Sequence, residues 1–155
     1  MLLLIALGLG FASGLRTFTP LAVFSGFVVF TGLTLQAGFA WLGSIWAFLV
    51  LALLALAEFA GDKAATAPPR TSRLALGARL IAGAAVGTLA ASFAGAGLFG
   101  AVLGALGAFA GAHAGQAARS RMSARIGGNR IAGAVEDAVT VLLSAGLVYA
   151  LIAAV

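Results

Sequence analysis

The sequence predicts an all-α protein, a polytopic transmembrane bundle of about six membrane segments, and three observations predict it. Of 155 residues, 63% are hydrophobic and only 8% charged, with a mean hydropathy of +1.15. A soluble domain carries about 25% charged residues. The apolar residues fall into six runs separated by short polar, glycine or proline stretches. The basic residues form three groups, each two runs apart: Arg16; Lys63, Arg70, Arg73 and Arg79; Arg119, Arg121, Arg125 and Arg130. Positive charge gathers in cytoplasmic loops, so all three groups are expected inside and both termini outside. The whole chain, 1–155, reads as one membrane domain.

The first run, Met1–Gly14, has no polar side chain before Ser13. It resembles a signal peptide in its small residues Ala12-Ser13-Gly14 but lacks the positive start, and more membrane sequence follows it. We read it as retained. The second run, Thr19–Leu35, is also short. At 1.5 Å per residue these two reach about 21 and 25 Å against a hydrocarbon core of about 30 Å. A thin hairpin, a re-entrant pair and one helix broken at Arg16 all fit these lengths.

Between them lies Ser13-Gly14-Leu15-Arg16-Thr17-Phe18-Thr19-Pro20. Gly14 can end a helix in the left-handed region. Thr17 or Thr19 can cap the next helix, and Pro20 suits its first turn. Arg16 keeps its proton in any protein setting and must find water, phosphate or a carboxylate. A five-helix arrangement would leave it deep in the bilayer at a cost of roughly 2.5–3.5 kcal/mol, so six segments are preferred.

The third run, Phe39–Ala60, starts with Trp41 and Trp46, which suit the outer interfacial belt. It ends on Glu58 and Asp62, four apart on one helix face and followed by Lys63. Two such carboxylates repel unless a proton or a cation intervenes. Arg16, Lys63 or a bound ion would serve, and so would neutralisation by loop arginines alone. Ala64 to Ser72, with Pro68-Pro69, reads as an extended linker.

The runs Leu74–Phe93 and Gly97–Ala118 are built from small residues. Gly100, Gly104, Gly107, Gly111 and Gly115 form a glycine-zipper pattern that lets helix backbones approach closely. His113, the lone histidine, reads either as a hydrogen-bonded packing residue or as a proton relay. The last run, Ile131–Val155, carries Glu136-Asp137 near its start. Acids there suit the helix dipole, yet two side by side in a membrane helix are costly, and at least one should face the bundle. A faint repeat at an offset of 54 residues relates hairpins 16–65 and 70–119.

No cysteine, paired histidine or zinc motif is present, so neither metal nor cofactor is expected. Walker and nucleophile-elbow motifs are absent, and the chain is not expected to be an enzyme. Its net charge of +5 has no soluble basic domain to carry it, which argues against nucleic acid. The candidate ligand-binding or coupling residues are Arg16, Thr17, Thr19, Glu58, Asp62, Lys63, His113, Glu136 and Asp137, all near one membrane face. A small transporter or channel for an ion or small solute is the leading reading. A structural or accessory subunit and, less favoured, a lipid-headgroup enzyme are the alternatives. The expected partners are the bilayer and a small ion or solute, with a second copy of the chain left open.

Ser13-Gly14-Leu15-Arg16 with Phe18 and Pro20, Glu58…Asp62-Lys63, His113 and Glu136-Asp137 together resemble a family of small bacterial inner-membrane proteins known only as a domain of unknown function. The resemblance covers nearly the whole chain. It implies a polytopic helical protein of the bacterial inner membrane and supplies no catalytic residues.

Overall fold

The computed structural model describes residues 1–61, 71–126 and 129–155, and the side chains of all these except 125, 126, 129 and 130. Asp62, Lys63, Arg70 and the Pro68-Pro69 linker lie outside the described residues. The chain forms α1 (Leu2–Leu15), α2 (Thr19–Thr31), a 3₁₀ stretch (Ala37–Gly43), α3 (Ile45–Gly61), α4 (Arg73–Ser92), α5 (Gly97–Ile126) and α6 (Asn129–Ile152). No strand occurs among the described residues.

Helices α4, α5 and α6 are each long and apolar enough to cross a membrane. The 3₁₀ stretch and α3 together make a fourth candidate span, bent by 73°. Helices α1 and α2, with 14 and 13 residues, are too short. They reach about 21 and 20 Å, some 10 Å less than the hydrocarbon core. The six segments expected from the sequence are all helical, the first two short and broken at Arg16 as expected.

Side-chain and backbone neighbours give the direction of each helix. Along α1, Gly10 abuts Gly104 and Gly14 abuts Gly111, so α1 and α5 run parallel. Gly83 meets Gly104 and Gly87 meets Gly100, so α4 runs the opposite way. Helix α6 also opposes α1, since Gly8 touches Leu147 while Arg16 reaches Asp137. Helix α2 starts level with Arg79 of α4, through Glu58, and leads to Gln36, whose amide donates to the Ser92 carbonyl. It therefore runs in the same direction as α4 and opposite to α1, packed mainly on α3 and α6. The pair α1–α2 is a hairpin of two short apolar helices, open towards the chain termini. From Ser92 to Arg79 the rise is about 20 Å, which puts the hairpin tip about two-thirds of the way across.

The apolar core fills the bundle half nearer the termini, with Ile5, Leu9, Phe24, Val86, Leu89 and Val148 among its members. Large apolar side chains such as Leu53, Ile81, Phe99 and Leu142 are exposed, as suits a lipid-facing surface. Trp41 and Trp46 are exposed at the terminus-side end.

Glycine explains how α1, α4 and α5 approach so closely. A Cβ on Gly107 or Gly111 would run into the carbonyls of Leu7 and Phe11, and one on Gly104 into the Gly83 carbonyl. Backbones meet directly, with the dispersion contact that lipid cannot displace.

Three expectations are corrected. Gly14 is not a left-handed cap: it lies within α1, and its missing side chain makes room for the Ala108 carbonyl. The positive-φ glycines among the described residues are Gly32, which ends α2 at Thr31 rather than Leu35, and Gly95, between α4 and α5. Helix α5 does not stop at Ala118. It runs on through Ala, Arg, Ser and Met residues, which sustain a helix, as far as Ile126 before Gly127-Gly128.

Candidate functional site

Breaking a helix inside a membrane exposes the last carbonyls of one half and the first N–H groups of the next. At Arg16–Phe18 both sets are met by charged side chains from other helices. Arg79 of α4 donates from Nη1 to the carbonyls of Gly14 (3.1 Å) and Leu15 (3.0 Å) at the end of α1. Glu58 of α3 accepts from the Thr17 N–H at Oε1 (2.8 Å) and the Phe18 N–H at Oε2 (3.1 Å) at the start of α2. A cation thus sits at a helix C-terminus and an anion at a helix N-terminus, the placement that helix dipoles favour. The two side chains also face each other, with Arg79 Nη2 3.6 Å from Glu58 Oε1.

Arg16 itself is fully buried. Its Nη2 lies 2.5 Å from Asp137 Oδ1 of α6, and its guanidinium carbon lies 5.5 Å from the centre of the Phe59 ring. A charge there survives because it is paired, and the aromatic face adds a weaker attraction. The break therefore joins α1 and α2 to three further helices through α3, α4 and α6.

Thr17 and Thr19 are buried in the same place. Neither caps α2 by its side chain: Phe18 occupies the N-cap position and Glu58 supplies the acceptor. The Thr19 hydroxyl makes no hydrogen bond among the described residues. Pro20 falls in the first turn of α2, as its missing N–H allows.

The remaining candidates separate from this cluster. Glu136 faces Arg119 of α5 at 3.7 Å. His113 is exposed on the far side of α5, its Nδ1 2.8 Å from the Phe109 carbonyl and its ring tilted over Phe109 at 4.3 Å. It is not part of the cluster. Asp62 and Lys63 lie outside the described residues.

Sequence reasoning missed Arg79 as a site residue. By sequence it groups with the linker arginines, yet it stands six residues into α4, about 9 Å along the helix, between Ala78 and Leu80. That position within an apolar run was the available signal. Arg119 was likewise placed in a loop; α5 carries it because the helix continues past Ala118.

On the basic side of the tip, α1, α5 and α6 enclose a cavity of about 230 Å³. Phe11, Leu15, Met122, Val135 and Val139 give it an apolar wall, and Arg119 and Glu136 supply its charged groups.

A family model described as "Domain of unknown function (DUF4126)" matches residues 3–155. No curated protein and no solved structure matches the chain.

Proposed function

The chain belongs to the DUF4126 family, and from the ion cluster at its hairpin tip we propose that it is a small membrane transporter or channel for an ion or small solute, not an enzyme. The observation that carries this reading is the α1–α2 hairpin. Two half-length helices meet about two-thirds of the way across the bundle, their ends facing Arg79 and Glu58. Discontinuous helices whose termini point at a buried charged site are how many transporters bind a substrate near mid-membrane. The basic groups favour a bacterial inner-membrane setting with both termini outside.

The test is flux in liposomes reconstituted with the purified protein, using a panel of monovalent cations, halides and small organic anions. Protein-dependent flux of at least one class is expected. Flux equal to that of protein-free vesicles across the panel contradicts the reading.

A second reading is favoured by one observation. Around the break two arginines face two carboxylates, with Arg16, Arg79 and Asp137 buried and Glu58 partly buried, and the adjacent cavity is apolar apart from Arg119 and Glu136. A cluster so satisfied can lock the hairpin in place, as an accessory subunit would require.

A further inference from the structure

Glu58 occupies the kind of place that an anionic substrate takes at a broken helix. Its two oxygens each accept one backbone N–H, from Thr17 and Phe18, and one of them faces Arg79. A flat two-oxygen acceptor fits this arrangement, and the arrangement is built from buried groups: Arg79 is 4% exposed and Thr19 2%. The Thr19 hydroxyl stands in the first turn of α2, the turn that Glu58 caps, and makes no hydrogen bond among the described residues. It is a donor that Glu58 leaves unused.

We propose that Glu58 holds the place of a substrate carboxylate, and that a small monocarboxylate enters this site together with one proton. This rests on the transport reading above and names its substrate class. Charge balance supplies the proton. The described charged groups around Glu58 are Arg79 from α4, Arg16 at the break and Asp137 from α6, with Arg119 of α5 opposite Glu136. Helices α1 and α2 contribute no titratable side chain, and Asp62 and Lys63 follow Glu58 in the sequence. Among the described residues, Asp137 and the partly buried Glu58 match the two arginines at the break, so a third anion is disfavoured unless one carboxylate is neutralised. A proton on a Glu58 oxygen removes its charge and loosens its hold on the two N–H groups. The incoming carboxylate then accepts those two bonds, faces Arg79 and takes the Thr19 hydroxyl. One anion and one proton enter together, so the charge of the site is unchanged.

Thermal unfolding of the purified protein in detergent, with acetate added against chloride at equal ionic strength, tests the assignment; acetamide is the uncharged control. Acetate alone is expected to raise the midpoint, and more strongly at pH 5.5 than at pH 7.5. In Glu58→Gln the acetate shift should become equal at the two pH values. Thr19→Val should melt no lower than the parent without acetate, yet need at least about 10-fold more acetate for the same shift, the effect of one lost hydrogen bond to an ionised carboxylate. A shift shared by acetamide or chloride, a pH dependence that survives Glu58→Gln, or an acetate titration unchanged in Thr19→Val would overturn the proposal. Ion flux without an acetate shift defeats this assignment and leaves the transport reading standing. An acetate shift with the expected variant pattern but no flux supports the carboxylate site and defeats transport.

Discussion

Arg16 carries its charge about two-thirds of the way across the bundle, and the partner that makes this tolerable is Asp137. Removing one member of a buried pair strands the other, typically at a cost of about 3–5 kcal/mol. Arg16→Ala is therefore expected to destabilise the protein on that scale. Adding Asp137→Asn should recover a substantial part, and more than Glu136→Gln does; unfolding in detergent across both double-mutant cycles measures this. Equal recovery from the two acids would count against the pairing. The depth of Arg16 was legible in the sequence, because the first run ends there and descends from the terminus side. Its partner was not. Glu136 and Asp137 are adjacent, hence about 100° apart around α6, and which of them faces Arg16 depends on how α6 is rotated against α1. The sequence places Arg16 in a network with at least one of Glu58, Asp62 and Glu136; in the structure Glu58 caps α2 next to Arg16, Glu136 faces Arg119, and Asp137 is the acid seen against Arg16.

At the scale of elements, glycine sets the distance between α1, α4 and α5. Gly107→Leu and Gly111→Leu should prevent recovery of folded protein, since their side chains would meet the backbone of α1 at Leu7 and Phe11. The opposite outcome is expected where nothing faces the position. A Cβ on Gly77 or Gly146 meets no atom within 4 Å. Gly77→Ala and Gly146→Ala should thus raise stability by roughly 0.5–1 kcal/mol, the ordinary gain of alanine over glycine within a helix. Spacing of four made the α5 stripe visible in advance, but the partner helix was not. Gly14 shows why: the same residue type serves as a cap or as a close contact, and only the chain around it decides. The hairpin was legible as one of three options, and the length deficit of α1 and α2 was its signal. What selected it was the capping of each broken end by Arg79 and Glu58, two residues far away in sequence.

For the whole molecule, alternating helix directions place the termini and the basic end of α5 on opposite faces. The chain has no cysteine, so single thiols can be introduced without background. Val155→Cys and Ser120→Cys are expected to react with a membrane-impermeant reagent from opposite sides of sealed vesicles. Labelling of both from the same side would reject the arrangement.

The hairpin tip as a working site, rather than a dry lock, is tested most directly by water access to it. Thr17→Cys stands at the tip beside Glu58. Applied to reconstituted vesicles, a water-borne thiol reagent is expected to modify it from the Arg119 face and not from the face of the termini, and the modification should abolish flux. Failure to react from either face, with flux untouched by the reagent, would show that the tip is sealed and contradict the account.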